Sequence, residues 1–410
     1  MCAWVGPPAA DGAVMATKTI TRQPVFDADL AVVGYTLEYR EPVDEIVVSL
    51  DPDGGSSIDL DARRLGGTVK AFVDVGAGNL DRVRFLDRDL IGVSIPPDLV
   101  PDESVVAACR SLWREGFEIV LVDLRPGDER ASLLPFAAGA QIDVSATFAE
   151  VEAVLDLTDG TGVDLIAVNV DDGPALEFAK SLGCTRFLGR FFTAAATPSS
   201  GLAPATADRL AALRQVVSPD SSIESIEDVV RRDPIVTHKL LRYINSVVFA
   251  WRRDIDSVHD ALVLLGEREM RRWLTVVVLR ELAQGRPTEI AVASVVRARM
   301  CEVLAEMVGR PERSGDLFLT GVLSHLEALT GVPLADALEG ARLSPDVAAA
   351  LLGGGRGSSL PARALTLVLA YEDAAWAEAA AACEALGIEM EDAATAYLEG
   401  VDFGHDLSGV

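Results

Sequence analysis

The dipeptide His259-Asp260 carries the residue types with which metal-dependent phosphohydrolases hold a divalent cation. A complete site needs further histidine and carboxylate ligands, and the upstream His238 falls in a different helical segment without an acidic companion. We therefore predict that the pair is a helix surface feature and that the chain holds no metal and no other cofactor. His325 and His405 are isolated in the sequence, and we expect them at the surface or in the core.

A dense run of basic side chains between residues 231 and 280 has the charge to face nucleic acid or a phosphorylated partner. Acidic residues are interleaved with the run, so an ion-paired helix surface is the favoured explanation, with docking of an acidic protein surface as the functional alternative. Trp and Arg are enriched at binding hot spots, whereas a polar residue at the edge of an apolar helix often fixes a tight internal contact. The candidate partner-binding residues are Arg242, Asn245, Trp251, Arg252 and Arg253.

Acidic side chains outnumber basic ones in this chain of 410 residues. It has 63 Asp and Glu against 36 Lys and Arg, a net charge of −27, so the molecule as a whole repels nucleic acid and anionic membranes. Its five cysteines include no Cys-x-x-Cys pair, which argues against disulfides and thiolate zinc sites. No apolar run reaches the ~18 residues of a spanning helix, and the start does not resemble a signal peptide. We expect a cytoplasmic protein that begins at Met1 or Met15.

Short β-type runs alternate with helical stretches in the first half of the sequence, which is typical of a parallel sheet or barrel. The connection around Asp27-Ala28-Asp29 is too short for a crossover, so the first two runs should form an antiparallel hairpin. A linker over residues 193–207 leads into segments with helical periodicity. The predicted strands are residues 22–26, 32–39, 45–50, 69–75, 90–95, 118–124, 140–144, 164–170 and 186–191.

Two groups of motifs carry a family resemblance. The run Arg22-Gln23-Pro24-Val25-Phe26-Asp27, followed by Val33-Gly34-Tyr35-Thr36-Leu37-Glu38-Tyr39-Arg40, resembles the opening of EAL domains, the cyclic di-GMP phosphodiesterase barrels. The runs Leu240-Leu241-Arg242-Tyr243-Ile244-Asn245-Ser246, Ala261-Leu262-Val263-Leu264-Leu265-Gly266 and Ala370-Tyr371-Glu372 resemble an HDOD domain. Nearly the whole chain is thus similar to bacterial EAL–HDOD signalling proteins.

The resemblance implies a fold that is α/β followed by all-α. We expect a TIM-type βα barrel, incomplete or distorted because the stretch between Arg40 and Thr68 is short, and then an HD-related helical domain. The expected division is an extension over residues 1–17, a degenerate EAL-like barrel over 18–195, a linker over 196–207, an HDOD domain over 208–400 and a tail over 401–410.

Active EAL domains, as the family is known, hold divalent cations with several carboxylates at the ends of barrel strands, because hard cations require oxygen ligands. By resemblance the corresponding positions lack most of these carboxylates. They are Thr36, Asp74, Ser94 to Pro97, Val122-Asp123, Gln141 and Val168. Possible vestigial ligand-binding residues are Gln23 and Arg40, at positions that contact guanine and phosphate in the family, and Asp123, the one carboxylate of its pair.

These losses lead to the prediction that the chain is not an enzyme. We expect a regulator or scaffold of cyclic di-GMP-type signalling that binds an unidentified protein through the HDOD domain. Cyclic di-GMP binding is a possible but not favoured activity, since Arg40 has a simpler role as an ion-pair partner and Gln23 as a hairpin residue. The alternatives are a weak cyclic di-GMP phosphodiesterase or sensor, and a nucleic-acid-binding regulator that the net charge opposes.

Overall fold

The computed structural model describes residues 19–40, 57–194, 204–217, 222–232, 234–245 and 255–408. Its first half is a closed barrel in which the strands follow one another in chain order. The strands are β1 (Ile20–Phe26), β2 (Val32–Tyr39), β3 (Lys70–Asp74), β4 (Ile91–Ile95), β5 (Glu118–Leu121), β6 (Gly139–Asp143), β7 (Asp164–Val168) and β8 (Arg186–Phe187). The predicted strand at residues 45–50 lies outside the described residues.

The predicted hairpin and barrel are both confirmed. Strands β1 and β2 pair antiparallel, with Gln23 opposite Thr36, and the pairs from β2 to β8 are parallel. The expected incompleteness is not a missing strand, because the ring is closed. Among the described residues the barrel departs from regularity at β8, which has two residues and meets β1 only where Phe187 pairs with Phe26, and in the connections over Ala77–Phe85 and Glu129–Phe136, which are 3-10 helices.

Helices α1 (Ser57–Gly66), α2 (Glu103–Glu115), α3 (Phe148–Thr158) and α4 (Gly173–Ser181) surround the barrel. Local sequence explains where they begin. The side chains of Asp102 and Asp172 accept hydrogen bonds from backbone N–H groups in the first turns of α2 and α4, and Thr147 forms a capping box with Glu150 at α3. Each cap follows a strand end closely, which fixes the direction of the crossover.

The barrel interior is built in layers with the two-residue period of β-strands. At the closed end, Glu118 forms ion pairs with Lys70 (3.3 Å) and Arg186 (2.5 Å), all three at strand beginnings. Two residues further along, Phe72, Val120 and Leu188 form an apolar layer with neighbours from other strands. The next step along the same strands carries Asp74 and Val122 to the open end of the barrel.

Glycines on even-numbered strands make room for this apolar layer. A Cβ added to Gly92 would lie 2.3 Å from the Phe72 ring, and one added to Gly139 would lie 2.7 Å from Ile166 Cδ1. Since real Cβ atoms do not approach so closely, the large side chains of β3 and β7 require small partners on β4 and β6. The plug they form closes the barrel below its open end.

The second half is helical. Its helices are α5 (Pro204–Val217), α6 (Ile223–Arg232), α7 (Pro234–Ile244), α8 (Val258–Leu282), α9 (Glu289–Met307), α10 (Ser314–Leu323), α11 (Leu326–Thr330), α12 (Leu334–Leu338), α13 (Pro345–Leu352), α14 (Leu360–Glu372), α15 (Trp376–Leu386) and α16 (Met390–Ser408). Helix α8 bends at Gly266, whose φ of 77° is not helical. In the described part of the chain, none of the helices combines the length and apolar character needed to cross a membrane.

Two hydrophobic cores divide these helices in an unexpected way. One core joins α5 to α8 with α13 and one side of α9 and α10. The other is continuous with the barrel and includes Met300 of α9, Leu367 of α14 and Val401 of α16. The last three helices therefore pack on the barrel, although they follow the rest of the helical half in sequence.

Two tyrosines of these last helices complete the backbone hydrogen bonds of β1. The Tyr371 hydroxyl accepts a hydrogen bond from the Ile20 N–H (3.2 Å) and donates one to the Ile20 carbonyl (3.0 Å). The Tyr397 hydroxyl accepts one from the Arg22 N–H (3.2 Å). These groups lie on the strand edge that β8 is too short to reach, so two buried phenols replace the missing strand pairing. We call this contact the tyrosine seam.

We predict that Tyr371→Phe lowers the free energy of unfolding by about 2 kcal/mol, because it leaves a buried N–H and a buried carbonyl without partners. Urea denaturation measures the loss, and hydrogen exchange should show a less protected Ile20 amide. Tyr39→Phe is the matched control, since its hydroxyl bonds the half-buried Asp61 carboxylate, which water can also satisfy. Equal losses in both variants, or unchanged protection of Ile20, would contradict the role of the seam.

Candidate functional site

A cavity of about 850 Å³ lies between the open end of the barrel and the helical half. Side chains from both halves line it, so it has a barrel floor and a helical roof. The floor includes Gln23, Thr36, Glu38, Asp74, Val122, Gln141, Val168 and Arg190, and the roof includes Glu289, Arg297, His325, Glu372, Asp373 and Tyr397. Its volume is within the range of small-molecule sites.

Two carboxyl groups at neighbouring strand ends dominate the floor. Burial raises the pKa of Asp74 to about 7, and the negative charges of Glu38 and Asp98 add to the shift. Burial also raises the pKa of Glu38. Asp74 is the register partner of Ser94, and the buried Asp74 Oδ1 and Ser94 Oγ have no hydrogen-bond partner among the described residues. Asp74 thus brings to the floor a carboxylate oxygen that no described residue uses.

The roof is organised around Arg297 of α9. Its guanidinium binds the Glu372 carboxylate through Nε and Nη2, at 3.1 and 2.5 Å from Oε2, and donates through Nη1 to Ser324 Oγ at 2.8 Å. His325 is buried beside it, with Nδ1 3.2 Å from Ser294 Oγ. Burial and then the Arg297 charge hold the pKa of His325 well below its usual value, so this histidine is neutral near pH 7.

A second arginine joins floor and roof at the rim. Arg190 Nη1 lies 2.5 Å from Asp373 Oδ2, and the two side chains are 65% and 42% exposed. The Arg190 backbone N–H also donates to Asp171 Oδ1 at 3.2 Å. This rim contact links the segment after β8 to the end of α14.

A third arginine anchors the two halves below the cavity. The Arg22 guanidinium lies over the Tyr35 ring, 4.2 Å from its centroid, and 4.0 Å from Glu289 Oε1 of α9. The Tyr35 hydroxyl donates to Glu289 Oε2 at 3.0 Å. Burial, followed by the Glu289 charge, raises the pKa of Tyr35, which therefore stays protonated. Arg22 is committed to this network and to the Leu65 carbonyl and His405.

Of the three candidate ligand-binding residues, one lies at the cavity and two do not. Gln23 lines the cavity. Arg40 is exposed and lies outside the lining, and Asp123 turns away from it to bind Arg125 at 2.5 Å. Strand alternation explains Asp123: its neighbour Val122 occupies the inward position, and Asp123 itself has a φ of 48°. Thr36, Asp74, Gln141 and Val168, the positions indicated by the family resemblance, all line the cavity.

Two of the five candidate partner-binding residues, Arg242 and Asn245, lie in the described part of the chain. Trp251, Arg252 and Arg253 lie outside the described residues. Arg242 is exposed on α7, and Asn245 binds the Ile255 backbone through both amide atoms, at 2.7 Å each, so Asn245 has an internal structural role.

Other basic and histidine side chains of this region are also paired. Lys239, Arg268, Arg271 and Arg272 each have an acidic neighbour, as the interleaved charges indicate. His259 Nδ1 lies 3.7 Å from Glu227 Oε2. Across the described ranges, no cluster of three or more His, Cys, Asp or Glu side chains is arranged to hold a metal.

Glu38 and Arg190 are residues of the cavity floor that the sequence analysis missed. Both could have been identified from the two-residue alternation of inward and outward side chains along a β-strand. Glu38 follows Gly34 and Thr36 on the inward face of β2, and Arg190 follows Arg186 and Leu188 in the same way. The roof had no comparable signal, since its residues come from α9, α14 and α16.

Comparison with known proteins supplies the family. The HDOD domain family matches residues 203–335. An uncharacterized protein of Bacillus subtilis, YuxH, is 24% identical over 95% of this chain and 98% of its own length. A Vibrio cholerae protein named cyclic di-GMP phosphodiesterase CdgJ is 24% identical over 99% of this chain and 97% of its own length.

Solved structures similar to the first half include the EAL domain of Mycobacterium smegmatis DcpA, at 17% identity. The similarity covers 42% of this chain and 90% of the DcpA chain, with a TM-score of 0.32. The PaMucR phosphodiesterase in complex with c-di-GMP is 16% identical, covers 42% of this chain and 94% of that chain, and has a TM-score of 0.33.

The prediction that the chain is not an enzyme is wrong. The finding that overturns it is the similarity, over 99% of this chain, to a protein named a phosphodiesterase. The prediction counted carboxylates only at the positions given by the family resemblance, and so overlooked Glu38, one inward step beyond Thr36. With an HDOD match over residues 203–335, two full-length relatives and a closed barrel in front, this chain is similar to EAL–HDOD proteins.

Proposed function

We propose that the chain binds cyclic di-GMP in the cavity at the open end of the barrel and hydrolyses it as an EAL-type phosphodiesterase. The observation that carries the proposal is the pair of half-buried carboxyl groups, Glu38 and Asp74, at adjacent strand ends in a cavity of about 850 Å³. The full-length similarity to a protein named a cyclic di-GMP phosphodiesterase supports the substrate class.

The charge of the cavity argues for a cation in this reaction. Its lining has three arginines and six carboxyl groups, so an anionic dinucleotide meets net repulsion unless positive charge is added. Mg²⁺ is commonly held by one or two carboxylates together with waters and substrate phosphates. Glu38 and Asp74, which both line the cavity, are the carboxylates that would hold one such cation. They do not supply the ligands of a two-cation centre.

A bound cation would polarise the phosphodiester and lower the pKa of a water molecule. The chain's own residues hold and orient the reactants. Glu38 and Asp74 would hold the cation once Asp74 has lost its proton, and the apolar plug around Phe72 limits access of water from below. Arg297 and Tyr397 close the cavity from above, so the site is assembled from both halves of the chain.

We expect Glu38→Gln and Asp74→Asn each to lower the rate of cyclic di-GMP hydrolysis in Mg²⁺ or Mn²⁺ by at least about 100-fold, because each removes one of two carboxylate ligands. Chromatographic detection of the linear dinucleotide gives the rate, and calorimetric titration gives the affinity. Glu150→Gln, on the exposed start of α3, is the control and should keep the full rate. Binding without turnover by the native chain would refute hydrolysis, and absence of both would refute the whole proposal.

The raised pKa of Asp74 predicts a pH dependence of stability in metal-free protein. Between the unfolded pKa near 4 and the folded pKa of about 7, the folded state binds the extra proton, so stability falls as pH rises through this window. The native chain should lose roughly 2–4 kcal/mol relative to Asp74→Asn between pH 4.5 and pH 8. Urea denaturation at these two pH values gives the difference. Parallel pH curves for the two proteins would show that Asp74 is not the titrating group.

We also propose that the HDOD domain binds a protein partner. The supporting observation is a pair of exposed apolar side chains on α8, before its bend at Gly266. Val263 is 68% exposed and Leu264 is 41% exposed. Exposed apolar neighbours of this kind are typical of contact surfaces.

For this second role, we expect the double variant Val263→Asp and Leu264→Asp to lose any protein that the native full-length chain retains from lysate. Affinity capture with mass spectrometry is the measurement. Leu60→Asp, an equally exposed apolar side chain on α1, should retain the same protein. Retention by the α8 variant would contradict the assignment of this surface.

A further inference from the structure

Arg190 differs from the other two arginines of the cavity in how it is held. Arg22 and Arg297 are nearly buried and have several partners each, including backbone or hydroxyl oxygens as well as carboxylates. Arg190 is 65% exposed, and among the described residues its guanidinium forms an ion pair with Asp373 alone. An exposed ion pair contributes about 1 kcal/mol or less, so this guanidinium is the one that an incoming anion can engage at least cost.

The position of Arg190 suits a ligand contact. It lies two residues beyond Leu188, whose side chain belongs to the apolar plug, and it lines the same cavity as Asp74. Arginine binds phosphate with two parallel N–H groups, a geometry that a carboxylate reproduces. The Asp373 carboxylate therefore occupies the place at Arg190 that a phosphate oxygen would take.

The Asp373 carboxylate lies at a position where nearby negative charge is unfavourable to it. It is the C-cap of α14 and follows Glu372, so two carboxylates stand at the end of a helix that carries partial negative charge. The next residue, Ala374, has a φ of 52°, a conformation that is unfavourable for a residue with a Cβ. Glu372 is neutralised by Arg297 and Asp373 by Arg190. If Arg190 turned to another anion, the end of α14 would lose one of these compensating charges.

We propose that Arg190 is a phosphate-binding residue for cyclic di-GMP and that Asp373 is its intramolecular competitor. This inference rests on the binding proposed above. The dinucleotide phosphate takes over the Arg190 guanidinium, and the Asp373 carboxylate is released to solvent. Ligand binding is thereby linked to the junction of α14 and α15, which belongs to the helical half, and removal of the competitor strengthens binding.

The test is calorimetric titration of full-length protein with cyclic di-GMP at fixed Mg²⁺, with product analysis to correct for turnover. Asp373→Ala should bind about three- to fivefold more tightly, since the ligand no longer displaces an ion pair of up to about 1 kcal/mol. Arg190→Ala should bind at least about tenfold more weakly, because a hydrogen bond to a charged group is lost. Both side chains are partly exposed, and both variants are expected to fold.

A double variant separates competition from a general change of charge. In the Arg190→Ala background, Asp373→Ala should change the affinity less than twofold, because the carboxylate has no guanidinium to occupy. The same three- to fivefold gain in that background would overturn the proposal in favour of simple relief of repulsion. Hydrogen exchange gives a second readout: amides of residues 373–378 should exchange faster in native protein with ligand and in Asp373→Ala without it.

The outcomes distinguish this inference from the proposed function. If the native chain binds cyclic di-GMP and Asp373→Ala binds no more tightly, the competitor role is wrong and the binding function stands. If neither the native chain nor Asp373→Ala binds at millimolar dinucleotide, both proposals fail together. Tighter binding by Asp373→Ala that depends on Arg190 supports both.

Discussion

The shortness of the last barrel strand is the constraint on which the arrangement of the two halves depends. Strand β8 has two residues and reaches β1 only at Phe26, so the N–H and carbonyl groups of Ile20 and the N–H of Arg22 need other partners. Buried backbone groups without partners are too costly to leave. The tyrosine seam satisfies them from α14 and α16, and it brings these helices over the open end of the barrel.

The continuity of the core follows from the seam. Tyr371 and Tyr397 lie with their ring centroids 5.0 Å apart, and the helices that carry them share one hydrophobic cluster with the barrel. A cavity lined by both halves is the consequence, because the roof is fixed by packing at one side and by the Arg22, Tyr35 and Glu289 network below. The helical half is thus part of the site's architecture as well as a separate element of the sequence.

Much of the barrel was predictable from local pattern. The β-type runs, the short connection of the hairpin and the inward positions of Thr36, Asp74, Gln141 and Val168 all depend on a two-residue period that the sequence displays directly. Glu38 and Arg190 obey the same period, and a strict count along β2 and past β8 would have identified them. Arg40 and Asp123 were assigned by resemblance alone, and the alternation of inward and outward side chains places Asp123 outside the cavity.

The roof could not be predicted in this way, since no local pattern states which strand edge lacks a partner or which distant tyrosine satisfies it. Ile20 and Tyr371 are 351 residues apart in the chain. Their contact uses a strand edge that is left without a partner because β8 has only two residues. Tertiary context determines such pairings, and a glutamate such as Glu289 is recognisable as buried only when its partners from β1 and β2 are in place.

The carboxylates of the cavity differ in whether they have an arginine partner. Each roof carboxylate at the end of α14 has an arginine, Glu372 with Arg297 and Asp373 with Arg190, whereas the floor pair Glu38 and Asp74 has no cationic partner among the described residues. Burial without a counter-charge makes a carboxyl group retain its proton, which is why the pKa of Asp74 rises to about 7. Under the proposed function, a proton and a divalent cation would therefore compete for the carboxyl oxygens of the floor. Under the same proposal, a phosphate and Asp373 would compete for the Arg190 guanidinium on the rim, and a cation on the floor would reduce the repulsion that an anionic ligand meets.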